Sequence, residues 1–349
     1  MARVFVAMSG GVDSSVAAAL LLEAGHDVVG VTMQLLPSGD IEGGCCSTSA
    51  VRDAHRVCDA LGIAHYTLNV RDEFRREVVE PFCDAYASGR TPNPCIVCND
   101  RIKFAELWRR VELQGAEYLA TGHYARIERD EAGEPWLARG VDPAKDQSYF
   151  LYRMTAPQLD RTLFPVGELT KSEVRRIADE RGLPTADAPE SQEVCFIPGG
   201  DTASFVRSAR PASGRPGPIV DAGGVRIGTH GGIGGYTVGQ RRGLGIAAPG
   251  PLYVAAVDAA ANTLVAGPLE SLEVHEIECV DAVWRGAPGV RVEAQVRYRQ
   301  RALPAVAVLD GTRLALAFDA PLSGVAPGQA VVCYNRDIVL GGGVVEETA

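Results

Sequence analysis

A short apolar run, residues 3–8, opens directly into Ser9-Gly-Gly-Val-Asp-Ser-Ser15 and from there into an Ala/Leu-rich stretch that stops at Gly25. This junction constrains the fold more than any other feature. The run is short enough for a buried strand. The alanines and leucines favour helix, and glycine suits the left-handed residue that ends one. The same rhythm continues along the chain. Residues 28–34 are apolar, residues 49–61 carry helical spacing and stop at Gly62, and residues 65–70 read as another strand. Thr170-Lys-Ser-Glu173 is a capping box that opens a helix closing at Gly182. Strands alternating with helices predict an α/β domain over residues 1–198, an open, largely parallel sheet with helices on both faces.

The pattern changes near residue 198. Residues 198–250 are dense in glycine and proline and show no helical period. Residues 251–345 give short alternating runs at 252–257, 263–266, 290–298, 314–318 and 330–334. Two small β domains are predicted, a central one at 199–268 and a C-terminal β-barrel at 269–349. A chain of 349 residues has room for two or three such domains.

The glycines of the Ser9–Ser15 loop let backbone come close to a ligand, and the helix that follows offers unpaired amides and a partial positive charge suited to phosphate. Ser9, Ser14 and Ser15 add hydroxyls; Asp13 is placed either to orient Mg²⁺ or to cap the helix. The loop has neither the Gly-Lys-Ser/Thr of the P-loop nor the G-x-G-x-x-G dinucleotide pattern. It resembles the pyrophosphatase loop of the N-type ATP pyrophosphatases, which transfer AMP to a substrate oxygen and release pyrophosphate. That resemblance implies an ATP site made by Ala7, Met8, Ser9, Gly10, Gly11, Val12, Asp13, Ser14, Met33 and Gly122.

Nine cysteines, an odd number in a long chain, do not suit a disulfide scaffold. Cys58, Cys83, Cys279 and Cys333 lie in apolar runs and read as small buried residues. Cys45 and Cys46 fall in a predicted loop without an assigned role. Cys95 and Cys98 follow Arg90-Thr-Pro-Asn-Pro94, whose prolines predict a stiff exposed loop rather than helix, with a helix over residues 101–110 placing Cys98 near its N-terminus. Cys195 lies in a second loop, Ser191-Gln-Glu-Val-Cys-Phe196. Two readings stay open. Cys195 carries a persulfide with Cys98 as nucleophile, leaving a disulfide. Alternatively Cys95, Cys98 and Cys195 hold a [4Fe-4S] cluster whose fourth iron binds sulfur. Structural zinc lacks a convincing fourth ligand.

With these motifs in this order, and with Thr121-Gly-His-Tyr-Ala125, Lys145-Asp-Gln147, Tyr236-Thr-Val-Gly-Gln-Arg-Arg242 and Gly243-Leu-Gly245, essentially the whole chain resembles the tRNA-specific 2-thiouridylases of the MnmA/TrmU family. The resemblance implies an ATP- and Mg²⁺-dependent sulfurtransferase that adenylates the C2 oxygen of the wobble uridine in tRNAs for Lys, Glu and Gln and installs sulfur there. It implies that Asn93, Pro94 and Cys95 approach the target base, that Cys98 is the nucleophile and Cys195 the persulfide carrier. It also implies that His123, Lys145, Asp146, Gln147, Tyr298, Arg299 and Gln329 touch the tRNA, and that a cysteine desulfurase or sulfur carrier supplies sulfur. Many relatives carry Asp at the position of Cys95, and a third thiol there keeps the cluster reading open. The rival readings are another synthetase or ligase with the same ATP loop, and a non-catalytic nucleotide-binding iron–sulfur module.

Arg291, Arg297, Arg299 and Arg301 occupy odd positions of one strand-like run and are expected on one face beside Tyr298, either meeting RNA or simply solvated. The net charge of −10 disfavours non-specific coating of nucleic acid. No apolar stretch is long enough to span a membrane, and residues 1–8 are too short for a secretory signal, so a cytoplasmic protein is expected.

Overall fold

The structure, a computed structural model, describes residues 1–36, 48–188, 194–287 and 289–348. Cys45, Cys46 and Ser191-Gln-Glu193 lie outside the described residues. The chain divides into two compact units, described separately.

The first unit comprises residues 1–78, 95–200 and 337–339. Its sheet contains β1 (Arg3–Ala7), β2 (Asp27–Gln34), β3 (Ala64–Asn69) and β4 (Tyr118–Thr121). After β4 come the antiparallel pair β5 (Ala125–Arg129) and β6 (Pro135–Arg139), and then β7 (Thr162–Leu163). The sheet runs in the order β3-β2-β1-β4-β7, every pairing parallel. In β1, Val4, Phe5 and Val6 are all buried although successive side chains point to opposite faces, so the sheet is covered on both sides. On one face Val4 and Val6 share a core with Val16, Ala17 and Leu21 of the first helix, α1 (Val12–Glu23), and with Val174 and Ile177 of the helix Lys171–Glu180. The alanines of α1 let it lie close against β1. Gly25 and Gly62 end α1 and the next helix, α2 (Thr48–Leu61), in the left-handed conformation.

The chain steps outward from β1 to β2 to β3, then returns to lay β4 on the opposite side of β1. The strand order therefore reverses between β1 and β4. In open α/β sheets the crevice at that reversal, beyond the carboxyl ends of the strands, is where ligands bind. Ala7 and Thr121 pair in register there, so the segments that follow, Ser9–Ser15 and Gly122–His123, leave the sheet side by side.

The second unit comprises residues 79–94, 201–336 and 340–349. β8 (Gly217–Val220), β9 (Arg226–His230), β10 (Tyr253–Asp258) and β11 (Thr263–Gly267) form a four-stranded sheet, order β10-β11-β8-β9, around Ile219, Val254 and Leu264. β12 (Glu273–Trp284), β13 (Val290–Gln295), β14 (Leu303–Asp310), β15 (Arg313–Ser323), β16 (Ala330–Asn335) and β17 (Ile338–Thr348) follow in the order β12-β15-β14-β13-β16-β17. β12 also pairs with β17, closing a barrel with no free edge. Along β15 buried Leu314, Leu316 and Phe318 alternate with exposed residues, the period-two signature of a sheet with one face in a core.

Three local expectations are corrected. A helix, Thr202–Ala209, stands in the region read as lacking helical period; at eight residues it is too short to establish one, and it is started by Asp201 accepting the Ser204 amide at 3.0 Å. Pro94 sits in the first turn of a one-turn helix, Pro94–Val97, where a missing amide costs nothing, and the chain continues helically as a π-helical stretch Cys98–Leu107 and the helix Trp108–Glu112. Cys98 is thus one turn inside the helical run, and Cys95 holds the place near its start. Finally, β13 ends at Gln295 and Arg299 adopts a left-handed φ of 72°, so the four arginines do not share a strand face. A turn after Gln295 breaks the alternation that would have aligned them.

Candidate nucleotide and thiol site

The loop after β1 is shaped by contacts a side chain would destroy. Gly10 has φ 74°, and a Cβ there would lie 2.5 Å from the Ala50 carbonyl oxygen of α2. A Cβ on Gly122, just past β4, would lie 2.5 Å from the Ser14 amide nitrogen and 2.7 Å from the Asp13 carbonyl carbon. The loop is therefore pressed between α2 and the end of β4. Gly11 precedes α1 with extended backbone and no side-chain cap, so the positive end of the helix carries no internal acceptor from that position. Ser14 and Ser15 donate their hydroxyls back to the Gly11 carbonyl at 3.1 and 2.9 Å, and the Ser9 amide donates to Ser14 Oγ at 3.2 Å. Thr185 donates to Ser15 Oγ at 2.8 Å from a buried position. Behind the loop, Thr32 Oγ1 donates to the Met8 carbonyl at 3.0 Å and lies 2.8 Å from His65 Nε2. Ala7 ends β1, Val12 and Met8 are buried, and Met33 lies near the end of β2.

Asp13, in the first turn of α1, is not the helix cap. Its carboxylate is held by Lys171, with Nζ at 2.7 and 2.9 Å from the two oxygens, and it accepts the Tyr124 hydroxyl at 2.6 Å. The Lys171 ammonium also sits 5.7 Å from the centre of the Tyr124 ring. Neither residue emerged from sequence as part of the site. The only hint in the sequence is that Ser9–Ser15 itself carries no basic residue.

His123 leaves β4 with Nδ1 2.6 Å from the Thr121 hydroxyl, its ring near Phe104 and Phe164 at centroid distances of 6.1 and 6.0 Å. Burial, reinforced by the nearby Lys103 charge, pulls its pKa well below the ordinary 6.5, so the imidazole is neutral. Gln147 ties the next loop to this strand end: its side chain accepts the Tyr124 amide at 3.0 Å, and its amide donates to the Tyr124 carbonyl at 2.8 Å. In that loop Asp146 accepts the Gly140 and Ser148 amides, the Ser148 hydroxyl and Arg139 Nη1 at 2.9–3.0 Å, with its side chain 8% exposed. The carboxylate of Asp146 thus orders Lys145-Asp-Gln147 from within. A cavity of about 340 Å³ lies alongside, lined by Arg126, Arg139, Asp146 and Asp337.

Cys95 is exposed, and Cys98 and Cys195 are half-buried. Beside Cys98, Asn99 is 3% exposed and donates to the Phe150 carbonyl at 3.1 Å. Beside Cys195, buried Phe196 packs edge-on against Phe74 with ring centres 5.7 Å apart. Among the described residues no three His, Cys, Asp or Glu side chains gather into a set able to hold a metal ion. Cys95, Cys98 and Cys195 do not form such a set among the described residues. A magnesium ion carried on ATP asks less, one carboxylate besides phosphate oxygens and water, and Asp13 offers it. Cys58, Cys83, Cys279 and Cys333 are buried, and burial raises their thiols, Cys58 to about 11 and Cys279 to about 12, which leaves them unreactive.

In the second unit, the Arg299 guanidinium stacks 5.8 Å from the centre of the Tyr298 ring. Gln329 Oε1 accepts the Ala326 amide at 3.0 Å and Arg297 Nε at 3.4 Å, and Arg297 also donates to the Gly324 carbonyl. Arg291 pairs with Asp319. Asn93 and Pro94 close the short segment of this unit that leads into Cys95.

Three sequence profiles match in succession: one described as a tRNA methyl transferase HUP domain over residues 2–199, one as a tRNA methyl transferase PRC-barrel domain over 203–268, and one as an aminomethyltransferase β-barrel domain over 271–345. A tRNA-specific 2-thiouridylase MnmA of Heliobacterium modesticaldum is 51% identical over 355 residues, covering 98% of this chain and 92% of its own. The protein of the same name from Geobacter metallireducens is 48% identical, covering 99% and 96%. Among solved structures, a 4-thiouridine synthetase in complex with RNA and ATP is 17% identical with a TM-score of 0.39, covering 60% of this chain and 50% of that one, too distant to bear on the site.

Proposed function

This chain belongs to the tRNA-specific 2-thiouridylase family, and from that premise we propose that it adenylates the C2 oxygen of the wobble uridine, position 34, in tRNAs for Lys, Glu and Gln and replaces that oxygen with sulfur. The observation that carries the reading is the joint presence, in one compact unit, of an uncapped phosphate loop at the sheet reversal and two half-buried cysteines, Cys98 in a helical run and Cys195 in a turn. An oxygen on a pyrimidine C2 is a poor leaving group. Attack of that oxygen on the α-phosphorus of ATP breaks the bond to the β-phosphate, sends its electron pair out with pyrophosphate, and turns the oxygen into the leaving group AMP. Ser9–Ser14, the start of α1 and Gly122 hold the nucleotide, with Ala7, Met8 and Met33 toward the adenosine and Asp13 toward magnesium.

Sulfur arrives as a persulfide on Cys195, delivered by a cysteine desulfurase or a sulfur carrier. Its terminal sulfur attacks C2 and expels AMP, giving a disulfide between Cys195 and the base. The Cys98 thiolate then attacks Cys195 Sγ, the new S–S bond forms as the old one breaks, and 2-thiouridine leaves with both electrons. A dithiol reductant resets the Cys98–Cys195 disulfide. The base must leave its stack to reach this chemistry. Asn93, Pro94 and Cys95 meet it, while His123, Lys145, Gln147, Tyr298, Arg299 and Gln329 meet the surrounding RNA, with Asp146 ordering its loop. No described helix is long and apolar enough to cross a membrane, compatible with work on tRNA in the cytoplasm.

The test is incubation of the protein with unmodified tRNA-Glu transcript, ATP, Mg²⁺, cysteine and a cysteine desulfurase, read on a mercury-containing gel that retards thiolated RNA. A retarded band requiring ATP, tRNA and both Cys98 and Cys195 is expected. A band that persists in Cys98→Ser and Cys195→Ser refutes the relay, and no band at all refutes the activity.

A further inference from the structure

The loop Ser9–Ser15 contains a carboxylate and no basic residue, yet ATP, the ligand proposed for it, is a polyanion. An ATP polyphosphate approaching Asp13 with nothing to offset it meets repulsion inside a partly desolvated crevice. The fold supplies the offset from far along the chain: Lys171 reaches in from the first turn of its helix and contacts both oxygens of Asp13. Its side chain is only 12% exposed, which is unusual for lysine, and a partly buried ion pair roughly repays its own desolvation rather than adding much stability. Its placement is heavily specified. Thr170 and Glu173 form a reciprocal capping box around it, the Lys171 amide donates to Asp142 at 3.0 Å, and Tyr124 lies beneath the ammonium while donating to the same carboxylate. So much positioning of a residue whose stability contribution is small points to a ligand.

Resting on the reading of this loop as the ATP site, we propose that Lys171 is its phosphate-binding ammonium, stored on Asp13 until ATP arrives. As the polyphosphate settles against α1, Lys171 exchanges a bond to Asp13 for one to a phosphate oxygen, and Asp13 becomes available to the magnesium that ATP carries. During adenylation the charge that develops on departing pyrophosphate falls to the same ammonium. Lys171 therefore does from a distant helix what the lysine inside a P-loop does from within the loop.

Binding of ATP and of AMP to the full-length protein, measured calorimetrically with and without Mg²⁺, separates this role from charge balance. Lys171→Met is expected to bind AMP within about twofold of wild type and ATP at least tenfold more weakly. A carboxylate left without its partner can disturb the loop by itself, so the same change is made in an Asp13→Asn background, where no charge needs neutralising. In EDTA, Asp13→Asn is expected to bind ATP as tightly as wild type or more tightly, and Asp13→Asn/Lys171→Met at least tenfold more weakly than Asp13→Asn. If that pair binds ATP equally, Lys171 merely balances Asp13 and the proposal is overturned. If wild type binds neither nucleotide, the ATP reading of the loop falls first and takes this one with it.

Discussion

Gly122→Ala is the sharpest probe of how the loop is positioned. Gly122 does not adopt a left-handed φ, so alanine meets no backbone penalty and the whole effect is steric. The added methyl would lie 2.5 Å from the Ser14 amide nitrogen and 2.7 Å from the Asp13 carbonyl carbon, nearly an ångström inside the 3.4 Å at which ordinary contact begins. Both obstacles are backbone, so no side chain can swing aside; the loop or the end of β4 has to shift. Overpacking of this kind costs about 1–3 kcal/mol. Because the displaced atoms belong to the first turn of α1, we expect most of that to appear in ATP affinity, a loss of roughly 5- to 100-fold. Calorimetric titration with ATP measures it, and thermal unfolding divides the cost between fold and ligand. Gly231→Ala, where nothing lies within 4 Å, is the matched control and is expected to leave ATP affinity unchanged. If Gly122→Ala binds ATP within twofold of wild type and unfolds at the same temperature, the loop yields freely and the steric reasoning is wrong.

Four further outcomes follow from the same structure. Cys98→Ser and Cys195→Ser are each expected to abolish thiolation on the mercury gel while tRNA-stimulated pyrophosphate release continues, and Cys58→Ala, in the core, to retain thiolation. Asp146→Ala removes an acceptor that holds Arg139, Gly140 and Ser148, and should lower stability by about 2–4 kcal/mol in denaturant titration. Leu314→Ala empties a fully buried site in the barrel and should cost about 2–5 kcal/mol by the same measurement. His123 has a lowered pKa in the folded protein, so below about 6.5 the unfolded chain takes up a proton that the folded one refuses. Its contribution is complete above that pH and is lost as pH falls through it. Unfolding temperatures between pH 7.5 and 5.5 should therefore decline, and less steeply in His123→Gln; equal slopes would refute the assignment.

The elements that could be read from sequence are those whose signal is local. The run into Ser9-Gly-Gly, the glycine stops after α1 and α2, the Thr170–Glu173 capping box and the two-residue period of the late strands each arise from neighbouring residues, and each appears in the structure as expected. The local rules fail where a boundary depends on something else. Pro94 looked like a barrier to helix but occupies the first turn, where its missing amide has no partner to lose. The arginines after Gln295 looked aligned until a turn broke the alternation.

The amino-acid sequence thus determined the α/β opening, the glycine-bearing loop and three of the six barrel strands, β13, β15 and β16, because periodicity, caps and glycine stops act over a few residues. Only the tertiary structure decided what stands around that loop. Gly122 presses on it and Tyr124 and Lys171 hold its carboxylate because the strand order reverses between β1 and β4 and later helices pack beside α1, bringing together residues up to 158 positions apart. A pattern of neighbours cannot encode which distant lysine will meet which aspartate. That pairing is set when parallel strands stack in their particular order and the helices pack across them.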